Sequence, residues 1–164
     1  MRVSEVMNHP VVTCPTDSTL DHAARLMWEF DCGIIPVIND QGRLAGVVTD
    51  RDICMATYTQ GRVLSAIPVS TAMARGVVAV HTEDTVETAE ASMRENQVRR
   101  LPVLDAEDRP VGLVSMNDLA RLASRARRSA VDRELVRTLA AVCQPRAHVR
   151  SEEAPRVSRP ALVG

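Results

Sequence analysis

The chain has no lysine: all 20 of its basic residues are arginine. A Schiff-base mechanism and a lysine general base are thereby excluded. Any phosphate held by a cationic side chain is held by guanidinium, which grips two oxygens at once. Aromatic residues are nearly as scarce, with one Trp, one Tyr and one Phe, and stacking platforms for single-stranded nucleic acid need more rings than that. A net charge of −1 offers no long-range attraction to nucleic acid or anionic lipid. No apolar run approaches a membrane span, and the N-terminus lacks a basic region followed by an apolar one; the expectation is a cytoplasmic protein. Cys14, Cys32, Cys54 and Cys143 form no C-x-x-C pair, and the four histidines do not fall at metal-ligand spacing with them. Free core thiols are expected, although Cys14 and Cys32 could meet, since one ends a first strand and the other precedes a second.

What is present is a chain of 164 residues, 45% apolar and 25% charged, the proportions of a globular protein with a sizeable core. It repeats itself. Val3-Ser4-Glu5-Val6-Met7 lies on Val69-Ser70-Thr71-Ala72-Met73, an offset of 66 residues that continues without a gap. The same offset sets Val11-Val12 on Val77-Val78, Ala23 on Ala89, Met27 on Met93, Pro36-Val37 on Pro102-Val103 and Gly46 on Gly112. Such a match is a tandem duplication.

Each copy opens with a helical lead-in and a short β segment (Val11-Val12-Thr13). A polar cluster, Thr16-Asp17-Ser18-Thr19, supplies N-cap candidates for a helix with Leu20, Ala23, Ala24 and Met27 on one face. Two strands follow, joined by polar turns at Asn39–Gly42 and Asp105–Asp108. The order is β-α-β-β-α. Neither copy alone buries both faces of so small a sheet, so the two should pack together. Thr59 to Ile67 reads as a loop or frayed helix end around Gly61. Beyond Ser124, the run Arg125-Ala126-Arg127-Arg128 reads as a solvated helix face. Val131, Leu135, Leu139 and Val142 share one face of an extra helix, which packs on the pair or on another subunit. From Pro145 the tail is expected to be disordered.

Both copies end alike, Gly46-Val47-Val48-Thr49-Asp50-Arg51-Asp52 and Gly112-Leu113-Val114-Ser115-Met116-Asn117-Asp118. A strand gives way to a helix, with a hydroxyl at the junction and an acid three residues on. Such a junction gathers unpaired N–H groups, a positive dipole end, a hydroxyl and a carboxylate. The carboxylate suits a sugar diol, and nearby arginines suit phosphates. The same pattern is a capping box, in which the two side chains satisfy backbone donors; the two roles are compatible. No Ser-His-Asp set, paired carboxylates or G-x-x-x-x-G-K loop is present, so a non-catalytic protein is expected.

With Val3-Ser4-Glu5-Val6-Met7, Ile35-Pro36-Val37, Leu101-Pro102-Val103 and the two Gly-apolar-apolar-Thr/Ser-x-x-Asp endings, the chain resembles a tandem pair of CBS (cystathionine β-synthase) domains over about residues 1–123. The resemblance implies an α+β fold of two β-α-β-β-α units packed as a pseudo-twofold pair, here with an extra C-terminal helix. The expected division is 1–66, 67–123, a helix at 124–144 and a tail at 145–164. It further implies a regulatory sensor, often dimeric, whose cleft takes AMP, ADP, ATP, S-adenosylmethionine or NADH as a regulatory ligand rather than a cofactor. No metal, nucleic acid or membrane partner is implied, and an effector protein must receive the signal. Thr49 and Asp52, and Ser115 and Asp118, would hold phosphate and ribose. By the same analogy Val98, Arg99 and Arg100 would face Thr49/Asp52, while Cys32, Gly33 and Ile34 would face Ser115/Asp118. With Arg51, Arg99 and Arg100 at hand and only Asn117 opposite Arg51, phosphates should prefer the first pocket. The competing expectation is a structural or redox-responsive interaction protein without nucleotide binding.

Overall fold

A computed structural model describes residues 1–126 and 129–143, with side chains described outside 124–132. The basic run at 125–128, Val131 and the tail from 145 therefore lie outside the described side chains or residues.

In the first repeat, β1 (Cys14–Pro15), α1 (Leu20–Glu29), β2 (Ile34–Ile38), β3 (Leu44–Thr49) and α2 (Asp50–Gln60) follow in that order. The second repeats them as β4 (Val80–His81), α3 (Val86–Asn96), β5 (Arg100–Leu104), β6 (Pro110–Ser115) and α4 (Met116–Ala126). A final helix, α5 (Ser129–Val142), stands outside both. Leu20, Ala23 and Met27 turn one stripe of α1 into the core, as their spacing requires. Gly61, at φ 60°, ends α2 in the left-handed conformation that glycine adopts without strain.

Each sheet has three strands, in the orders β1-β2-β3 and β4-β5-β6. The outer pair β1/β2 (β4/β5) is parallel and the hairpin β2/β3 (β5/β6) antiparallel. Ile35 faces Val48, Leu101 faces Val114, and both hairpins carry a register shift at the same place, Val37/Ile38 and Val103/Leu104. The duplication is thus preserved down to its irregularities.

The lead-ins change sides. Val3 is buried in the second repeat's core with Val80, Leu101 and Val103, whereas Val69 is buried in the first with Leu20, Ile35 and Val37. Backbone bonds follow suit, from Val3 N–H to Asp84 O and from Val69 N–H to Ser18 O, each 2.8 Å. Further along, Asn8 bridges Leu113 of β6, and Ala74 bridges Val47 of β3. Glycine is required where these strands cross. A Cβ on Gly46 would lie 2.7 Å from the Ala74 carbonyl oxygen, and one on Gly112 would strike the Met7 sulfur.

The helical layers differ. Leu135 and Val142 of α5 join the second core, Thr138 between them is fully buried, and the Arg94 guanidinium pairs with Glu134. Leu139, expected on the inward face, is half exposed because Leu135, Thr138 and Val142 define that face. Among the described residues, no helix covers α1 and α2 of the first repeat in this way. Trp28 is 89% exposed and Tyr58 82%, with Phe30 and Met55 also at the surface.

Candidate functional site

At the end of β3 the chain enters α2 through a reciprocal cap. Thr49 donates its backbone N–H (2.9 Å) and hydroxyl (2.7 Å) to Asp52 Oδ2, and Asp52 N–H donates to Thr49 Oγ1 at 3.2 Å. Ser115 and Asp118 repeat it at the entry to α4: Ser115 N–H and Oγ–H reach Asp118 Oδ2 at 2.8 and 2.5 Å. Capping and ligand binding are compatible only if the second carboxylate oxygen is left over. Here the two junctions part.

Asp118 Oδ1 accepts a hydrogen bond from Asn8 Nδ2 at 2.8 Å and is also paired with the Arg121 guanidinium, so the residue is only 5% exposed. Among the described residues, no donor engages Asp52 Oδ1, and Asp52 is half-buried rather than buried. The cause is in the sequence: the positions of Asn8 and Arg121 are taken in the first repeat by Ala74 and Met55, neither of which carries a side-chain donor.

Arg100 extends from the start of β5 towards the first junction. A Cβ built on Gly33 would be 3.2 Å from Asp50 Oδ2 and 3.9 Å from an Arg100 guanidinium nitrogen. The structure therefore brings Gly33, Asp50 and Arg100 together beside the Thr49–Asp52 cap. Ile34 lies opposite Thr49 in its own sheet, as Arg100 lies opposite Ser115. Val98 packs against the second core, the Arg99 carbonyl accepts Met116 N–H at 3.0 Å, and the Arg51 and Arg99 side chains are exposed. Asn8 and Arg121 were missed in the sequence, although the offset of 66 residues already set them against Ala74 and Met55.

All four thiols are free, as expected, and Cys14 and Cys32 do not pair; the core placement holds only in part, since Cys54 and Cys143 are exposed. Cys14 is fully buried on β1 opposite Val37, and burial pushes its thiol up to about 11; burial raises Cys32 as well. A thiol so rarely ionised is a poor partner for exchange. Among the described residues no group of three His, Cys, Asp or Glu side chains could hold a metal ion, and no helix is long and apolar enough to cross a membrane.

Comparison with known proteins agrees with this architecture. The CBS-domain-containing protein YhcV of Bacillus subtilis is 39% identical over 118 residues, covering 72% of this chain and 82% of its own. The homoserine O-acetyltransferase of Methanosarcina acetivorans is 32% identical over 73% of this chain, but the match takes in only 21% of that enzyme. Among solved structures, the CBS domain protein PAE2072 from Pyrobaculum aerophilum complexed with AMP superposes with a TM-score of 0.68 at 25% identity, over 83% of this chain and 98% of that one. The CBS domain pair of MJ0100, in complex with 5′-methylthioadenosine and S-adenosyl-L-methionine, gives 0.68 at 23% identity over 76% and 96%. The CBS domain profile itself matches residues 3–58 and 69–125, the two repeats described above. This chain belongs to the CBS domain family, as a tandem pair.

Proposed function

We propose that the chain is a non-catalytic regulatory module that binds an adenosine-containing nucleotide at the Thr49–Asp52 junction. One observation carries the reading: Asp52 keeps an oxygen open for a sugar diol while Asp118 has both of its own engaged. Thr49 fixes Asp52 through its N–H and hydroxyl, leaving Asp52 Oδ1 for the ribose, while the positive end of α2 and the Arg100 guanidinium attract the phosphate. The AMP complex of PAE2072 supports the ligand class. AMP is the form we favour among AMP, ADP, ATP, S-adenosylmethionine and NADH, because it is the ligand of the PAE2072 complex and Arg100 stands beside this junction for its single phosphate. Signalling then passes to an effector protein, and the chain pairs as a homodimer through the uncovered α1/α2 face. Buried aromatic side chains contribute about 150–250 Å² each. Three of them approach the ~800 Å² per partner of a standard interface.

Calorimetry with AMP tests the site. Wild-type protein binds one equivalent. Asp52→Asn weakens it roughly 10- to 100-fold, since hydrogen bonds to a charged group contribute about 1.5–3 kcal/mol. Asp118→Asn changes it little. Equal losses, or a larger one at Asp118, would overturn the assignment.

A further inference from the structure

Two chain reversals are built on one plan, but two acids of the second, Asp105 and Glu107, are amides in the first, Asn39 and Gln41. In the second hairpin, Asp105 Oδ1 accepts the backbone N–H groups of Glu107 and Arg109 at 3.0 and 2.9 Å. Its other oxygen takes Arg109 Nε at 2.8 Å, and Glu107 takes a second guanidinium nitrogen at 2.9 Å. Arg109 is neutralised within its own turn. In the first hairpin Asn39 Oδ1 accepts Gln41 and Arg43 N–H, both at 3.0 Å, so the backbone scaffold is the same. An amide cannot neutralise a guanidinium, and Gln41 stands where Glu107 does. Among the described residues the Arg43 guanidinium has no hydrogen-bond or ion-pair partner.

A second guanidinium is close by. Arg75, at the position of His9 in the other repeat, makes one 3.3 Å bond to the Ser70 carbonyl. Arg43 and Arg75 both line a cavity of about 340 Å³ between the repeats, walled by Val77, Ala79 and Leu104. Asp108 is the one acid on its lining, and its carboxylate lies 3.6 Å from His81 Nε2. Two like charges at one cavity repel each other until an anion joins them. An arginine pair is suited to an oxyanion, which it can grip at two oxygens, and the volume is at the small end of ligand pockets, which run from about 300 to 1,000 Å³.

We propose that this cavity is a second binding site, for a small organic anion: its phosphate or carboxylate is held by Arg43 and Arg75 and its apolar body rests on Val77, Ala79 and Leu104. The site goes beyond the nucleotide reading and is separate from it in space. Leu44 begins β3 and Thr49 ends it, a span of about 17 Å of strand.

The test is calorimetric titration of nucleotide-free protein with three probes: phenyl phosphate, benzoate and inorganic phosphate. At least one of the two ring-bearing anions is expected to bind, and inorganic phosphate at least tenfold more weakly. Tighter binding of phenyl phosphate assigns the site to phosphate carriers, and tighter binding of benzoate to carboxylates. Asn39→Asp with Gln41→Glu copies the second turn into the first and closes Arg43 onto its own acids. That variant should fold as the wild type does, because the second repeat already carries the same turn, and should lose at least tenfold in affinity. Arg75→Ala should lose as much, and Arg109→Ala nothing. The proposal is overturned if no ring-bearing probe binds, if the copied turn binds as well as wild type, or if inorganic phosphate binds as tightly as the others.

Discussion

The two repeats share their strand order, their registers and the register shift in each hairpin, yet their side chains differ at equivalent positions. Four pairs of positions at the same offset show where. Ala74 and Met55 stand where Asn8 and Arg121 close the second carboxylate. Trp28 stands where Arg94 grips α5 through Glu134. Ala24 stands where Glu90 is buried. At the junction and at Arg94 the second repeat has an internal polar contact where the first has an open surface, whereas at Glu90 it buries an acid where the first packs a small apolar residue. A duplicated backbone thus leaves function to a handful of side chains, since the capping pairs Thr49/Asp52 and Ser115/Asp118 satisfy their helix ends equally well.

Exchanging residues between equivalent positions tests this difference. The largest effect is expected at the helical layer. Trp28→Arg installs the residue of the covered face on the uncovered one. Because Trp28 is almost wholly exposed in the single chain, the monomer's fold is unaffected. A central aromatic at an interface contributes 2 kcal/mol or more, so sedimentation equilibrium should show the dimer dissociating at roughly thirtyfold higher concentration. A wild-type chain that sediments as a monomer would sink the proposed interface.

Next is the closed junction. Asn8→Ala with Arg121→Met rebuilds the first junction's surroundings around Asp118 and should free its Oδ1. Calorimetry should then resolve a second AMP-binding event, about 10- to 100-fold weaker than the first, because Ile34 and not an arginine holds the place of Arg100. An unchanged stoichiometry of one would mean that something other than these two side chains excludes the ligand.

The smallest effect is at Glu90. Burial first, then Glu134 and Glu87, raise its carboxyl above the ordinary 4.5, against the pull of Arg94. The folded state therefore holds this proton more tightly than the unfolded chain does. The resulting stability is fully present below pH 4.5 and is lost as pH rises through the folded-state value. Glu90→Gln, neutral at every pH, should raise the melting temperature at pH 7 by roughly 1–3 °C and leave it unchanged near pH 4. Equal melting temperatures at pH 7 would show that Arg94 fully compensates the acid.

Much of this was legible beforehand. The offset of 66 residues and the alternation of apolar stripes gave the β-α-β-β-α order, and the Thr/Ser-x-x-Asp spacing gave both junctions. The exchange of lead-ins was not legible, because Val3 and Val69 are the same residue at equivalent positions and either core accepts either one. Nor does periodicity report a bond between residues as distant as Asn8 and Asp118. Leu139 was misplaced for a related reason: apolar spacing alone favoured it over Thr138, but Arg94 lies within 3.5 Å of the Thr138 hydroxyl, so a polar residue takes the inward position.

The crossing of Val3 and Val69 makes the two halves hostages to one another. Trimming the first eight residues would not loosen the half they precede; it would uncork the distant one, by withdrawing the plug from beneath β5. Severing the connection near Gly61 would likewise yield two fragments still clasped together, each keeping the other's stopper in place.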